Sequence, residues 1–298
     1  MTTAKTRLLA LLGHPVSHSR SPAMMTGALA AIARAQDFSY LAFDVRPEEL
    51  QSVLVALRAM NCAGANVTVP HKRAVIGLCS VVDDDARRIG AANVLSPLGQ
   101  GWAAHNTDAP GAARALTDAG VSIAGSSVLL VGAGGAARAV AVGLAREGCR
   151  SLTVVARSLS DAHDCVRACD GLGVREASVI AWNDDTSVAA AHARADVLVQ
   201  CTPLGMQRSN TPLSVPEPEY DVARGWLSHA RPGATAMDLV YAPVVTPWLR
   251  VARDRGLRTV DGLGMLAHQG ALALARWCGG APPASAFRRF LDEAESGG

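Results

Sequence analysis

The sequence predicts an α/β fold in two domains, and three observations carry that prediction. Short apolar runs alternate with longer amphipathic ones, the pattern of βαβ units and parallel strands. One run, Val128-Leu-Leu-Val131, is continuously apolar, as a strand buried on both faces must be, and leads directly into Gly132-Ala-Gly-Gly-Ala-Ala137. The chain has 298 residues, 49% hydrophobic and 18% charged, which is enough for two ordinary cores.

Taken in order, Leu8–Leu12 reads as a strand, and Ser21-Pro22 supplies an N-cap and a first-turn proline for a helix through Gln36. Tyr40–Val45 reads as a strand, Pro47–Met60 as a helix and Ala65–Val69 as a buried strand, with Pro70 opening a further helical segment. Val81–Ile89 is expected to be helical, and a strand pair begins at Asn93 and ends near Ala104. The second domain begins after Asp108 with a helix over Pro110–Ala119. Strand 128–131 follows, then a helix to Glu147, then strands at 152–155, 178–181, 197–200, 234–239 and 257–260. Two helices close the chain, Gly262–Cys278 and Pro283–Glu295. They arrive after the second sheet is complete, so they are expected to return to the first domain. The expected domains are therefore 1–108 with 264–298, and 109–263.

Composition narrows the function. Net charge is +2 and basic residues occur in isolated pairs, so nucleic acid is not an expected partner. Aromatics are 4%, too few for stacking platforms. No apolar stretch reaches membrane-spanning length, and the N-terminal run is too short for a signal core. A cytoplasmic location is expected. The seven cysteines contain no CxxC pair and read as reduced, buried thiols; no metal site is expected.

Two features point to chemistry. The chain has only two lysines, Lys5 and Lys72, among its 28 basic residues. Arginine supplies positive charge but holds its proton near neutral pH, whereas lysine can release one. Lys72, at the end of Asn66-Val-Thr-Val-Pro-His-Lys72, is thus a candidate general acid/base. The second feature is the glycine loop between strand and helix. Gly132 and Gly134 permit a tight turn, Gly135 permits close approach of a pyrophosphate, and the helix N-terminus offers free amides. Gly132, Ala133, Gly134, Gly135 and Ala136 are the expected dinucleotide contacts of a Rossmann-like, doubly wound domain. The next strand ends at Arg157-Ser158, where NAD sites usually carry an acid. A guanidinium and a hydroxyl suit a 2′-phosphate, so NADP is expected, with NAD the alternative.

These blocks and others together resemble the shikimate dehydrogenase family. The others are Gly13-His-Pro-Val-Ser-His-Ser-Arg-Ser-Pro22, Gly90-Ala-Ala-Asn93, Asn106-Thr-Asp108, Thr202-Pro-Leu-Gly-Met206, Tyr241-Ala-Pro-Val-Val-Thr-Pro247 and Asp261-Gly-Leu-Gly-Met-Leu-Ala-His-Gln269. The resemblance implies a two-domain enzyme that interconverts shikimate and 3-dehydroshikimate. Lys72 and Asp108 would be catalytic. Ser19 and Ser21 would hold the substrate carboxylate, and Asn66, Thr68, Asn93, Asp108 and Gln269 would surround the ring hydroxyls, with Tyr241 also on the substrate side. Thr202, Leu239 and Gly262 would join the cofactor side. Asp108 and Ser21 could instead be plain helix caps, and Arg157 an ordinary surface arginine.

The chain departs from the family pattern at several points. Ala156 replaces the asparagine before Arg157, and Asp161 replaces a second basic residue. Gln200-Cys201-Thr202 stands for Asn-Ala-Thr, Ala109 for a glycine and Met25-Thr26 for His-Asn. His71 occupies a position where phenylalanine is commoner, and is expected on a helix surface or as a proton relay. The departures leave open a relative acting on quinate or amino-shikimate. A rival of another class is a non-catalytic protein that senses dehydroshikimate or cofactor. Monomer and homodimer both stand open.

Overall fold

The computed structural model of the chain describes residues 3–17, 19–206 and 217–296. They form two compact units, one made of the chain up to Gly111 together with the segment from Leu266, the other of Ala112–Met265.

The first unit begins β1 (Arg7–Gly13), α1 (Ser21–Ala31), β2 (Phe38–Asp44), a 3₁₀ turn at Pro47–Glu49, α2 (Leu50–Ala59) and β3 (Gly64–Val67). It continues with a 3₁₀ segment Ala74–Leu78, β4 (Val81–Val82), α3 (Asp84–Ile89), β5 (Val94–Leu98), β6 (Gly101–His105) and the start of α4 (Asp108–Asp118), whose residues from Ala112 belong to the second unit. The second unit carries β7 (Ser127–Val131), α5 (Gly135–Arg146), β8 (Ser151–Ala156), α6 (Leu159–Arg167), β9 (Glu176–Ala181) and α7 (Asp185–Arg194). Then come β10 (Val197–Gln200), α8 (Glu217–Leu227), β11 (Thr235–Asp238), α9 (Pro247–Asp254) and β12 (Arg258–Val260). Helices α10 (Gly262–Cys278) and α11 (Ala284–Ser296) complete the chain.

The second sheet is wholly parallel, in the order β12-β11-β10-β7-β8-β9. Counted from β7 this is the order 3-2-1-4-5-6 of a doubly wound dinucleotide fold, with β7 and β10 flanking the switch point. Its buried strands run apolar, as the sequence requires, and Leu129, Val131, Leu198 and Ala236 pack with Trp248 and Leu249 of α9.

The first sheet is mixed, in the order β2-β1-β3-β5-β6-β4. β1 pairs in parallel with β2 and β3, while β5 runs antiparallel to both β3 and β6. That inversion has a functional consequence. It places the start of β5 beside the ends of β3 and β6, with Asn66 opposite Val94 and Val94 opposite His105. Ala10, Leu12, Leu54, Leu95 and Trp102 form a core of this unit. α11 lies against α1, where Gly27 has no side chain and the ring of Phe290 stands 2.6 Å from the place a Cβ would take.

Three local expectations change. The first helix ends at Ala31 rather than Gln36, because Ala33 turns left-handed at φ 56° and breaks the ladder without a glycine to announce it. The residues after Pro70 form turns, then the 3₁₀ segment from Ala74, in place of a helix. The stretch 81–89 splits into β4, parallel to β6, and α3, because the Asp83 side chain caps α3 by accepting from the amide of Ala86 at 2.7 Å.

Candidate active site

Lys72 sits on the turn that follows β3. The Thr68 amide donates to Leu12 O at 2.9 Å and the Ala92 amide donates to Lys72 O at 2.8 Å, tying that turn to β1 and to the approach to β5. His71, beside the lysine, is 1% exposed and its Nε2 donates to Val45 O at 2.7 Å. The helix-surface position expected of it does not hold. The ring is a core anchor.

The Lys72 amine lies 2.6 Å from Asp108 Oδ2, with the lysine side chain 28% exposed and the aspartate 8%. Asp108 is the first residue of α4 but does not cap it. Asn106 does so, accepting from the Ala109 amide at 3.1 Å while its own Nδ2 donates to Ala91 O at 2.9 Å. The aspartate is thereby left free to engage side chains.

Asn93 organises the group around it. Its Oδ1 accepts from the Thr107 amide at 2.7 Å, which fixes the amide's orientation. Its Nδ2 then faces three acceptors: Asp108 Oδ1 at 2.8 Å, Thr107 Oγ1 at 2.9 Å and Gln269 Oε1 at 3.2 Å. Two hydrogens serve three acceptors, so the longest contact, to Gln269, is the weakest. Asn66 joins through its own Nδ2, which donates to Asn93 O at 3.1 Å, and its Oδ1 accepts from the Tyr40 hydroxyl at 2.7 Å. Burial pushes the Tyr40 phenol's pKa up, so it remains a donor. Lys72, Asp108, Asn93, Gln269 and Asn66 are thus one connected polar cluster.

Thr68 lies at the same sheet edge, its methyl filling the place a Gly13 Cβ would take. Ser19 and Ser21 follow on the chain from Gly13. Ser21 is the first residue of α1 and not its cap; the Ser19 hydroxyl accepts from the Ser21 amide at 3.2 Å. Among the described residues no hydrogen bond joins either serine to the lysine cluster.

The second unit holds the other expected residues. Gly132 has φ 105°, and a Cβ there would meet the Thr202 methyl at 2.8 Å, so both conformation and space demand glycine. Gly134 is the N-cap of α5 and offers no side chain to its first-turn amides. A Cβ at Gly134 or Gly135 would meet nothing within 4 Å. Open space above unclaimed helix amides fits a dinucleotide phosphate. Ala133 is buried and Ala136 half-buried beside this loop. Arg157 is exposed at the end of β8, and Ser158 caps α6 by accepting from the Asp161 amide at 3.3 Å.

At the neighbouring strand ends, Thr202 donates its hydroxyl to Gln200 Oε1 at 2.7 Å, and Gln200 Nε2 donates to Thr202 O and Leu204 O. The start of α10 closes on the end of β11: a Cβ on Gly262 would fall 2.5 Å from Leu239 O. Asp238, one residue earlier, is fully buried. Burial pushes its carboxyl up to about 7, although Thr246 Oγ1 at 2.6 Å and the Val240 amide at 2.9 Å both donate to it and pull the other way. These bonds pin the loop that carries Leu239 and the half-buried Tyr241.

Residues 11–95 match the model of the shikimate dehydrogenase substrate binding domain, and residues 113–204 that of shikimate / quinate 5-dehydrogenase. A shikimate dehydrogenase (NADP(+)) of Moorella thermoacetica is 42% identical over 293 residues, which is 98% of this chain and 94% of that one. The chain belongs to the shikimate dehydrogenase family. Among solved structures, shikimate 5-dehydrogenase of Listeria monocytogenes, in complex with shikimate and NAD, matches with TM-score 0.85 at 30% identity over 97% of each chain. The Thermus thermophilus shikimate 5-dehydrogenase, in complex with NADP(H) and shikimate, gives 0.80 at 32%, covering 97% of this chain and all of that one.

Within the shikimate dehydrogenase fold, several residues that organise the site escape a reading of the sequence. Tyr40 and Gln200 are ordinary strand residues until their partners are seen. Asn106 and Thr107 carried a signal, since Asn three positions before a helical amide is a capping arrangement. Asp238 gave none, because a buried aspartate at a strand end cannot be told from an exposed one by composition.

Proposed function

We propose that the chain catalyses the reversible reduction of 3-dehydroshikimate to shikimate with NADPH, and that Lys72 and Asp108 manage the proton. The observation that carries the reading is the 2.6 Å contact between the one internal lysine and a buried carboxylate held by Asn93. NADPH supplies the hydride when bound. On reduction the Lys72 ammonium gives its proton to the oxygen of the reacting carbonyl, and on oxidation the amine takes it back. Asp108 keeps the amine in place, and the partial exposure of Lys72 lets solvent restore the proton.

Asn66, Asn93 and Gln269 supply directional donors and acceptors without net charge, which suits a ring bearing hydroxyls. Ser19 and Ser21 stand at the start of α1, where two hydroxyls and helix amides suit a carboxylate. The loop Gly132 to Ala136 holds the dinucleotide phosphates, and Arg157 with Ser158 receives the 2′-phosphate. Leu239, Gly262, Thr202 and Tyr241 line the remaining reach of the cofactor and substrate. A biosynthetic enzyme of this kind belongs in the cytoplasm, and among the described residues no helix is long and apolar enough to cross a membrane.

The test is a panel of kcat/KM values for shikimate, quinate and amino-shikimate, each with NADP and NAD. The highest value is expected for shikimate with NADP. A higher value for quinate or amino-shikimate would move the reading to that substrate. No turnover with any pair would leave the non-catalytic sensor.

A further inference from the structure

A doubly wound parallel sheet is normally covered on both faces. Here one face is partly uncovered. In β8, Leu152 and Val154 are fully buried, but Ser151 and Thr153, which alternate with them, are only half-buried. The register lines these up with their neighbours: Ser127, Ser151 and Glu176 form one row across β7, β8 and β9, and Leu129, Thr153 and Ser178 the next. The Thr153 and Ser178 hydroxyls bond to each other at 2.9 Å. This face borders a groove of about 910 Å³ at the starting ends of the strands, closed on one side by the last turn of α7. The glycine loop lies at the opposite ends of the same strands.

Four arginines line the groove: Arg150, Arg175, Arg194 and Arg231. Two are braced. Arg150 donates to the Ser127 hydroxyl at 2.7 Å, and Arg231 pairs with Asp196, whose other oxygen accepts from the Ser127 amide at 2.8 Å. The guanidinium groups of Arg175 and Arg194 have no hydrogen-bond partner among the described residues. Against the four stand two carboxylates, Glu176 in the groove and Asp196 behind Arg231.

We infer that this groove is a binding site for a small polyanion, a molecule carrying two or more phosphate or carboxylate groups. The groove also has Val128, Leu129 and alanines of α7 in its lining, but its four guanidinium groups and the hydroxyls of Ser151, Thr153 and Ser178 favour an anionic occupant. Guanidinium forks match phosphate and carboxylate oxygens two bonds at a time. Arg150 and Arg231, held from behind, form a fixed wall, while Arg175 and Arg194 are free to close on the ligand. The hydroxyls of Ser151, Thr153 and Ser178 complete a polar floor.

The test is calorimetric titration of the full-length protein with inorganic pyrophosphate and, separately, with citrate, at low salt. Three proteins are compared: wild type, the exposed double variant Arg175→Gln/Arg194→Gln, and Arg157→Gln, which removes a cation at the opposite ends of the strands. Binding is expected to weaken at least about tenfold in the double variant and to persist in Arg157→Gln. Preference for pyrophosphate or for citrate separates the phosphate source from the carboxylate source. Equal binding by the double variant, loss in Arg157→Gln, or no binding by wild type up to about millimolar concentration overturns the site. So does tighter binding of a single-stranded oligonucleotide at the same arginines, which would make the groove a nucleic-acid surface. Because all four arginines are exposed, the double variant is expected to keep the wild-type unfolding midpoint, which is measured alongside.

Discussion

The amine of Lys72 and the carboxylate of Asp108 meet at 2.6 Å across 36 residues of chain, and the same carboxylate takes a second bond from Asn93. One oxygen of the aspartate serves the lysine and the other serves the asparagine. The lysine amine and the asparagine amide are therefore both held by a single side chain at the start of α4.

Lys72→Ala should lower kcat by about 10²–10⁴-fold, the usual worth of a positioned acid/base. Affinity for NADP should change little. Steady-state rates with shikimate and NADP, alongside direct cofactor titration, check both halves. A variant that keeps more than half its turnover would remove Lys72 from the chemistry.

Asn93→Ala should damage stability and turnover together. It strips donors from Asp108, Thr107 and Gln269 and the acceptor from the Thr107 amide, all within a side chain 2% exposed. A loss of about 1–3 kcal/mol is expected from urea unfolding, as for buried groups left without partners. Unchanged stability would mean that the cluster relaxes around the gap.

Arg157→Ala should raise KM for NADP roughly tenfold or more, the worth of a charge-assisted hydrogen bond, and leave KM for NAD nearly unchanged. Equal effects on both cofactors would show that Arg157 does not read the 2′-phosphate. The same pair of measurements on Asp161→Arg tests whether restoring a basic residue sharpens the preference.

Asp238 gives a pH dependence with a definite sign. An aspartate in the unfolded chain titrates near ~3.9, whereas burial pushes this one up to about 7 in the folded protein. The folded state thus holds the proton more tightly. Its contribution to stability is complete below about pH 4, declines as pH rises toward 7, and is lost above that. Its bonds come from a hydroxyl and an amide, neither of which supplies the charge to offset ionisation; Cys201 is the titratable neighbour that feels it. Asp238→Asn should flatten the stability profile across this window by a few kcal/mol. Parallel profiles for variant and wild type in urea unfolding would reject the assignment.

The sequence reveals much of this architecture where periodicity and local chemistry agree. Strand β7, the glycine loop and α5 announce themselves because a buried parallel strand must be apolar and a tight turn needs Gly132. Helix α10 is readable from end to end, over Gly262–Cys278 in both sequence and structure. What escapes the sequence is pairing direction and long-range partnership. Nothing in Val94–Leu98 says that it runs antiparallel to β3, yet that reversal brings Asn93 beside Asn66. Ala33 ends α1 without a glycine, and Asp83 caps α3 where the pattern suggests an unbroken helix. The lysine stands out by composition alone, while Tyr40, which holds its surroundings through Asn66, becomes visible only once the chain is folded.

The anchoring of His71 to Val45 bears on anyone who would diversify this turn. A library varying positions 71 and 73 should split sharply. Replacements at 73 should be broadly accepted, since Arg73 is exposed. Those at 71 should survive only when a buried donor or a well-fitted ring takes the imidazole's place. The residue next to Lys72 would then sort with the protein's interior, and a screen for activity would read packing as if it were chemistry.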